Sequence, residues 1–274
     1  MSNYNILQNL HTHTRYCDGM DTPEEMVITA IEKGFDILGF SGHSYTSSAV
    51  SAMSPEKEKA YKRDITALKE RYMDQIDIYC GLELDLYSGV DVNDYDYVIG
   101  SVHYLKMDGQ CLGIDSSPEK SQKIINEHFS GNGMKYARAY YETLAQLTEC
   151  PGIDIVGHFD LVTKFCRTHI FFDVESKEYQ RYAMEALDAL ASEFQLFELN
   201  TGAIARGYRT TPYPAPFLLR ELKKRNCGIL ISSDCHDRRY LDCGFQEAEE
   251  LLRECGFREK YILTKDGFEA VPIK

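Results

Sequence analysis

The chain has 274 residues, of which 43% are hydrophobic, and this is enough for one large α/β domain with a sizeable core. Its formal net charge of -13 argues against a nucleic-acid partner, because such binding relies on lysine and arginine. Nine cysteines without paired spacing favour a reducing cytoplasm, and no apolar run approaches the roughly 20 residues of a membrane span, so we expect a soluble protein.

Short apolar, β-like runs alternate with helical patterns along almost the whole chain. The strands are predicted at 5–10, 35–40, 76–82, 95–101, 153–157, 195–199 and 228–232. The helices are predicted from Pro23, capped by Thr22, and at 55–73, 118–149 with a break at 131–133, 176–192, 215–225 and 245–255. This alternation predicts a parallel sheet in a barrel-like single domain over residues 1–274, with an open doubly wound sheet as the structural alternative.

Candidate metal ligands follow nearly every predicted strand. Strand-like runs precede each of His11 and His13, His43, Glu83, His103, His158, and Asp234 and His236. In a βα barrel the carboxyl ends of the parallel strands converge on one face, where active sites lie. Residues spread over 225 positions of sequence would meet there, and this pattern indicates a multinuclear metal site. An open sheet would instead concentrate its site at one switch point.

Spacing supports several members of this set. The pairs His11/His13 and Asp234/His236 are two residues apart, and on an extended chain such side chains share a face. Glu83 is a candidate bridging carboxylate, with Asp85 as the competing choice at the same strand end. Histidines with carboxylates suit zinc, iron or manganese.

Further polar residues are either additional candidates for the site or are predicted to lie outside it. Asp18 and His43 could pair with His236 around a further ion, although Asp18-Gly19 is also a common turn dipeptide. Asp160 lies two residues after His158 and is predicted to face the same cavity, as an acid or as a structural hydrogen-bond partner. His128 and His169 lie outside the strand-end pattern, and we predict that they are not ligands.

Six short motifs together resemble the PHP (polymerase and histidinol phosphatase) superfamily. They are HTHT, GHS, GLELD, GSVHY, GHFD and SSDCH, and they span about residues 9 to 240. The segment ELNTGAIARGYRTTPYP looks most like the histidinol-phosphate phosphatase branch. The resemblance implies a distorted (β/α)7, TIM-like barrel that holds three divalent metal ions. The oligomeric state stays open between a monomer and a small homo-oligomer.

The resemblance also implies three ligand sets. His11, His13, Glu83 and Asp234 would hold one ion, Glu83, His103 and His158 a second, and Asp18, His43 and His236 a third. The chain departs from the family pattern at Cys17-Asp18-Gly19, where related proteins often carry a histidine. The metal preference and the occupancy of the third site are therefore open.

The function that follows is hydrolysis of the small phosphate ester L-histidinol phosphate in histidine biosynthesis. Glu83 and Asp160 are the predicted catalytic residues, Asp160 as proton donor to the leaving group, and Arg206 and Arg167 are the predicted phosphate-binding residues. The main alternative is a PHP-type phosphoesterase that acts on nucleotides or other small phosphate esters. An amidohydrolase-type C–N hydrolase and a non-catalytic metal-binding module are further alternatives.

Overall fold

The computed structural model describes residues 6–47 and 51–273, which contain eleven strands. The strands are β1 (Gln8–Asn9), β2 (Ile37–Phe40), β3 (Asp77–Asp85), β4 (Tyr97–Ser101), β5 (Tyr104–Met107), β6 (Gln110–Gly113), β7 (Ile155–Val156), β8 (Leu196–Asn200), β9 (Gly228–Ser232), β10 (Glu259–Thr264) and β11 (Gly267–Pro272). Seven of them form one parallel sheet in the order β1-β2-β3-β4-β7-β8-β9. All seven correspond to predicted strands, although Asn5 of the first prediction lies outside the described residues.

Eight α-helices in the described residues accompany these strands. They are α1 (Pro23–Glu32), α2 (Pro55–Tyr72), α3 (Pro118–His128), α4 (Gly133–Leu144), α5 (Lys177–Glu193), α6 (Gly202–Ala205), α7 (Pro216–Lys224) and α8 (Phe245–Glu254). The start of α1 follows the sequence signal, because Thr22 accepts a hydrogen bond from the Glu25 backbone and the Glu25 side chain accepts one from the Thr22 backbone. The glycine-flanked break predicted inside 118–149 separates α3 from α4.

Backbone hydrogen bonds between the first and last strands close the sheet into a barrel. Just after β1 and β9, the His13 N–H donates to the Cys235 carbonyl over 2.8 Å, and the Cys235 N–H donates to the His11 carbonyl over 3.1 Å. Thr12 and Cys235 form a parallel bridge at the same point. The predicted (β/α)7 barrel is therefore confirmed, and the open-sheet alternative is wrong.

Tyr97 crosses the barrel interior below the strand ends. Its hydroxyl donates to the carbonyl of Leu10, just after β1, and lies 3.0 Å from that of Phe40, at the end of β2. Glycines at 39 and 81 make room for the ring, since a Cβ at either position would lie 2.3 Å from a Tyr97 side-chain atom. The fold therefore requires small residues at these two strand positions.

Two antiparallel hairpins, β5–β6 and β10–β11, were not predicted. The first turns at Asp108-Gly109, where both residues have positive φ, and this dipeptide is a known hairpin signal that the strand-and-helix alternation obscured. The second packs against residues at the beginnings of the barrel strands, opposite the ligand-bearing ends. Its contacts include Ile37, Ile155 and Leu196 in one buried cluster with Ile262 and Leu263.

We expect Leu263→Ala to lower the free energy of unfolding by about 3 kcal/mol, because it leaves a cavity at the end of the barrel opposite the candidate ligands. Leu263 is 4% exposed, and its backbone N–H also donates to Gln8 Oε1 over 2.6 Å. Denaturant unfolding followed by circular dichroism measures the change. Lys265→Ala, on the exposed turn of the same hairpin, is the matched control and should change the free energy by less than about 0.5 kcal/mol. Equal effects of the two substitutions would contradict this account.

Among the described residues, no helix combines the length and the apolar character that crossing a membrane requires.

Candidate metal centre

The predicted ligands lie together at the carboxyl ends of the barrel strands. His11 and His13 follow β1, His43 follows β2, Glu83 lies on β3, His103 follows β4, His158 follows β7, and Asp234 and His236 follow β9. Because the strands are parallel and the barrel is closed, these ends form one ring. The two predicted non-ligands are elsewhere, His128 at the end of α3 and His169 in an exposed turn.

The Glu83 carboxylate is the centre of this cluster and is surrounded by five imidazoles. Its oxygens lie 2.8 Å from His43 Nδ1, 2.9 Å from His158 Nε2, 3.2 Å from His103 Nε2, 3.3 Å from His11 Nε2 and 3.5 Å from His13 Nε2. Glu83 is 1% exposed. A buried carboxylate with imidazole nitrogens close to both of its oxygens could hold divalent cations together with those imidazoles.

Three overlapping groups of side chains have the spacing of metal sites. In each group the candidate ligand atoms lie within 4.8 Å of one another. The groups are His11, His13 and Asp234; His43, Glu83 and His103; and His13, Asp18, His43 and His236. Asp18 Oδ1 is 3.3 Å from His236 Nε2, so the turn dipeptide Asp18-Gly19 does bring its carboxylate to the cluster.

Buried atoms in the cluster lack hydrogen-bond partners within the described part of the chain, and cations would satisfy them. His11 Nε2 and His13 Nε2 are buried and have no hydrogen-bond partner among the described residues, and both lie near Glu83 Oε2, at 3.3 and 3.5 Å. An unsatisfied buried polar atom costs roughly 1–3 kcal/mol, so two of them facing one carboxylate oxygen need a common partner. A divalent ion accepts lone pairs from imidazole and carboxylate together, and these residues therefore fit a metal centre.

The protonation tendencies of Glu83 and His13 agree with this arrangement. Burial raises the pKa of Glu83, but the imidazoles of His11, His43 and His103 outweigh burial and hold that pKa well below its ordinary value. Burial, with His236 and His43 alongside, lowers the pKa of His13 to about 3. An ionised Glu83 and a neutral His13 are the forms that bind a metal ion. Neighbouring carboxylates, Glu83 among them, outweigh burial and raise the pKa values of His11, His43 and His103, so a metal ion must displace a proton from these three imidazoles.

A cavity of about 370 Å³ lies against the cluster. Its wall carries candidate ligands together with two cationic side chains, Arg206 and Lys164. Arg206 donates to Asp234 Oδ2 over 2.9 Å and lies 3.2 Å from His236 Nδ1. Lys164 is buried, and its ammonium donates to the carbonyl and to the carboxylate of Asp115 over 2.9 and 3.1 Å. The cavity thus combines the candidate centre with groups that bind anions.

A PHP domain model matches residues 9–202, which is more than half of the chain. The chain belongs to the PHP domain family. Similarity extends along most of the chain in two relatives. The "probable histidinol-phosphatase" of Deinococcus radiodurans is 29% identical over 263 residues, covering 90% of this chain and 93% of the relative. The histidinol-phosphatase of Bacillus subtilis is 25% identical over 268 residues, covering 89% and 98%.

A solved structure supports the same fold. Histidinol phosphate phosphatase from Lactococcus lactis, in complex with zinc, L-histidinol and phosphate, superposes with a TM-score of 0.72 at 21% identity. The match covers 96% of this chain and 98% of that structure. The resemblance inferred from the six motifs is therefore confirmed at the level of the family and of the barrel.

Two predicted site residues of this PHP domain lie away from the cavity. Asp160 has one carboxylate oxygen 3.2 Å from the Ala215 N–H and 3.8 Å from Arg209, and it lines a separate cavity of about 270 Å³. The expectation that it faces the same cavity as His158 was wrong. The two-residue spacing rule requires an extended chain, but the backbone turns here, with the Leu161 N–H bonded to the His158 carbonyl.

Arg167 is exposed and is not among the residues that line the cavity at the cluster, so its predicted contact with phosphate is not supported. Turn hydrogen bonds such as Cys166 N–H to the Thr163 carbonyl carry the chain away from the cavity at this point. Lys164, three residues earlier, supplies the cation instead. Its placement depends on the turn, and no spacing rule distinguishes Lys164 from Arg167.

Two buried carboxylates beside the cluster have contacts that differ from those of candidate ligands. Asp85 accepts backbone N–H groups from Tyr87 and His103, and its Oδ2 lies 3.4 Å from His103 Nδ1. Glu198, on β8, contacts His11 and was missed at the sequence level. A charged residue inside the apolar run LFELN was the available signal, because carboxylates are almost never fully buried without partners.

Proposed function

We propose that this protein is a metal-dependent phosphatase, a phosphoric monoester hydrolase that converts L-histidinol phosphate to L-histidinol and inorganic phosphate in histidine biosynthesis. The observation that carries the proposal is a buried carboxylate surrounded by five imidazoles, next to a cavity whose wall carries Arg206 and Lys164. The two relatives named histidinol-phosphatase, similar over about nine-tenths of the chain, support the choice of substrate.

Three divalent ions form the proposed cofactor. The first is held by His11, His13, Glu83 and Asp234, the second by Glu83, His103 and His158, and the third by Asp18, His43 and His236. The close groups of ligand atoms support the first and third sets, and the 2.9 Å contact between Glu83 and His158 supports the second. Imidazole and carboxylate together suit zinc, iron or manganese, and zinc is the first ion to test because the Lactococcus structure contains it.

Phosphate monoesters hydrolyse extremely slowly without a catalyst, with accelerations of up to about 10²¹ required. Bound divalent ions supply a water nucleophile that is reactive near neutral pH and positive charge for the phosphoryl oxygens. Glu83 holds the first two ligand sets together. Arg206 and Lys164 bind the phosphate by charge-assisted hydrogen bonds, since a guanidinium has five N–H donors and the contacts with Asp234 and His236 leave some of them for an anion.

Asp115 is the proposed partner of the substrate's ammonium group. Burial raises its pKa, but Lys164 and His103 outweigh burial and lower the pKa to about 2, so the carboxylate is ionised at neutral pH. Asp115 lies on the cavity wall with Lys164. A phosphate beside Lys164 and an ammonium beside Asp115 would orient an amino-alcohol phosphate along the cavity.

The whole chain, residues 1–274, is proposed to form one PHP domain. The matched region ends at 202, but β9 lies beyond it, pairs with β8, and its continuation closes the barrel against the residues after β1. All nine cysteines are free, and this supports the cytoplasmic location expected from the sequence.

Phosphate release from L-histidinol phosphate tests the function. It should be compared with p-nitrophenyl phosphate, nucleoside monophosphates and a dinucleotide, with the metal content of the same sample measured by mass spectrometry. We expect the highest kcat/KM for L-histidinol phosphate. A clear preference for a nucleotide would overturn the substrate and favour the phosphoesterase alternative. Full metal content without hydrolysis of any phosphate ester would overturn the phosphatase function.

Asp18→Ala is expected to release about one of the three proposed ions per chain while the other two remain bound. Asp18 is the most exposed of the proposed ligands, with 36% of its side chain accessible, and it belongs to the third set alone. Metal content per chain after dialysis measures the loss. Asp94→Ala, an exposed carboxylate without partners among the described residues, is the control and should retain all the ions. Unchanged metal content in Asp18→Ala would remove this residue from the third site.

A further inference from the structure

Glu198 is a fully buried carboxylate in β8, the one barrel strand that supplies none of the proposed ligands. Four hydrogen-bond donors surround it. Oε1 accepts from His11 Nδ1 at 2.6 Å and from the Ser232 hydroxyl, and Oε2 accepts from the His158 N–H at 2.8 Å and from Asn200 Nδ2 at 3.0 Å. The Glu198 carboxylate therefore contacts the ring of one candidate ligand and the backbone of another.

These four bonds leave Glu198 without capacity to bind a metal ion itself. A carboxylate has about four lone-pair sites, and each oxygen here already accepts two hydrogen bonds. The four hydrogen bonds also explain how the negative charge of Glu198 is tolerated in the interior, because a buried carboxylate without such partners is strongly unfavourable. The side chain acts through the residues that it contacts.

The hydrogen bond to His11 fixes which ring nitrogen faces the cluster. Since Glu198 can only accept, His11 Nδ1 must carry the proton in that 2.6 Å bond. The opposite nitrogen, Nε2, lies 3.3 Å from Glu83 Oε2 and 3.8 Å from Asp234 Oδ1. In the neutral form that binds a metal ion, the lone pair of His11 is thus directed at the first proposed metal site.

We propose that Glu198 is a positioning residue of the metal centre, which holds His11 in the tautomer that binds the first ion and fixes the backbone of His158 beside the second. This inference rests on the proposed function for its role in turnover, but metal affinity tests it separately. Carboxylates that orient metal-binding histidines typically change metal affinity 10–100-fold when replaced.

Glu198→Gln is a sharp test because it conserves shape and reverses hydrogen-bond character. The amide oxygen can accept from the His158 backbone N–H, which can only donate a hydrogen bond. The amide NH₂ then faces His11 Nδ1 and the Ser232 hydroxyl. The hydroxyl can rotate to accept, but His11 must move its proton to Nε2, and that nitrogen can no longer bind a metal ion.

We expect E198Q to weaken zinc binding at the first site about 10–100-fold, measured by competition with a chromophoric chelator. Ser232→Ala is the matched control, since it removes a buried hydrogen bond to the same oxygen but leaves the Glu198–His11 bond in place. It should lose stability and keep zinc affinity closer to that of the unmodified protein. Equal zinc affinity in E198Q and the unmodified protein would overturn the proposal.

Long-range ¹H–¹⁵N correlation spectra of the zinc-loaded protein report the tautomer directly. We expect His11 to carry its proton on Nδ1, and a proton on Nε2 would overturn the proposal. This measurement needs no substitution, so it decides even if E198Q folds poorly. Where E198Q folds, the His11→Ala background isolates the contact with His11, since E198Q should not weaken zinc binding at the first site further there. A further loss of equal size in that background would assign Glu198 a purely structural role. Because none of these measurements uses turnover, they remain decisive even if L-histidinol phosphate is not the substrate.

Discussion

Glu83→Gln is expected to lower phosphatase kcat/KM by at least about 10³-fold and to release much of the bound metal. The reason is the position of the carboxylate, which has imidazole nitrogens within 3.5 Å on both of its oxygens. Glutamine is nearly isosteric but neutral, and its NH₂ group cannot donate a lone pair to a cation. Activity and metal content should be measured on the same samples.

The control for this substitution is Glu119→Gln on the exposed surface of α3, which should behave as the unmodified protein. Circular dichroism distinguishes loss of the centre from loss of the fold. Retention of both full metal content and activity by a folded Glu83→Gln protein would show that Glu83 is not a bridging ligand. The three proposed ligand sets, two of which contain it, would then need to be reassigned.

Arg206→Ala is expected to reduce kcat/KM for L-histidinol phosphate by about 10–100-fold, because charged hydrogen bonds each contribute roughly 1.5–3 kcal/mol. Its guanidinium lies on the cavity wall, within hydrogen-bond distance of Asp234 and His236. Arg167→Ala is the matched control, since Arg167 is exposed and is not among the residues that line this cavity. We expect it to change kcat/KM by less than about twofold.

Metal content must accompany the Arg206→Ala kinetics because the side chain contacts two proposed ligands. A loss of activity with full metal content supports a role in binding the phosphate. A parallel loss of metal would instead show that Arg206 mainly orients Asp234. Equal effects of Arg206→Ala and Arg167→Ala would contradict the assignment of Arg206 to the cavity.

The strand-end histidines show how much of the site a local sequence pattern can predict. The alternation of β and α segments fixed the parallel direction of the strands, and parallel strands in a ring must present their carboxyl ends on one face. Sequence alone could therefore place His11, His43 and His103 near one another without any knowledge of distances. It could not establish that the ring closes, because closure depends on backbone hydrogen bonds between residues more than 220 positions apart, such as His13 and Cys235.

The two wrong site predictions and the missed Glu198 have the same cause, which is that side-chain placement depends on turns and on contacts between distant residues. Asp160 was assigned from its spacing to His158 and Arg167 from the chemistry of its side chain, but turns after His158 and Thr163 direct both side chains elsewhere. Glu198 was overlooked because its role depends on what lies beside it in space, namely the ring of His11 and the backbone of His158. Such contacts join residues 187 and 40 positions apart.

By itself the sequence determined the order of the seven barrel strands, the family, and the candidate metal-binding residues, because these follow from local periodicity and from the chemistry of side chains near strand ends. Only the tertiary structure decided which carboxylate lies at the centre, which cations reach the cavity and which buried acid orients a ligand. Those outcomes depend on the direction in which each side chain leaves a turn or a strand, and that direction is set by packing between distant parts of the chain.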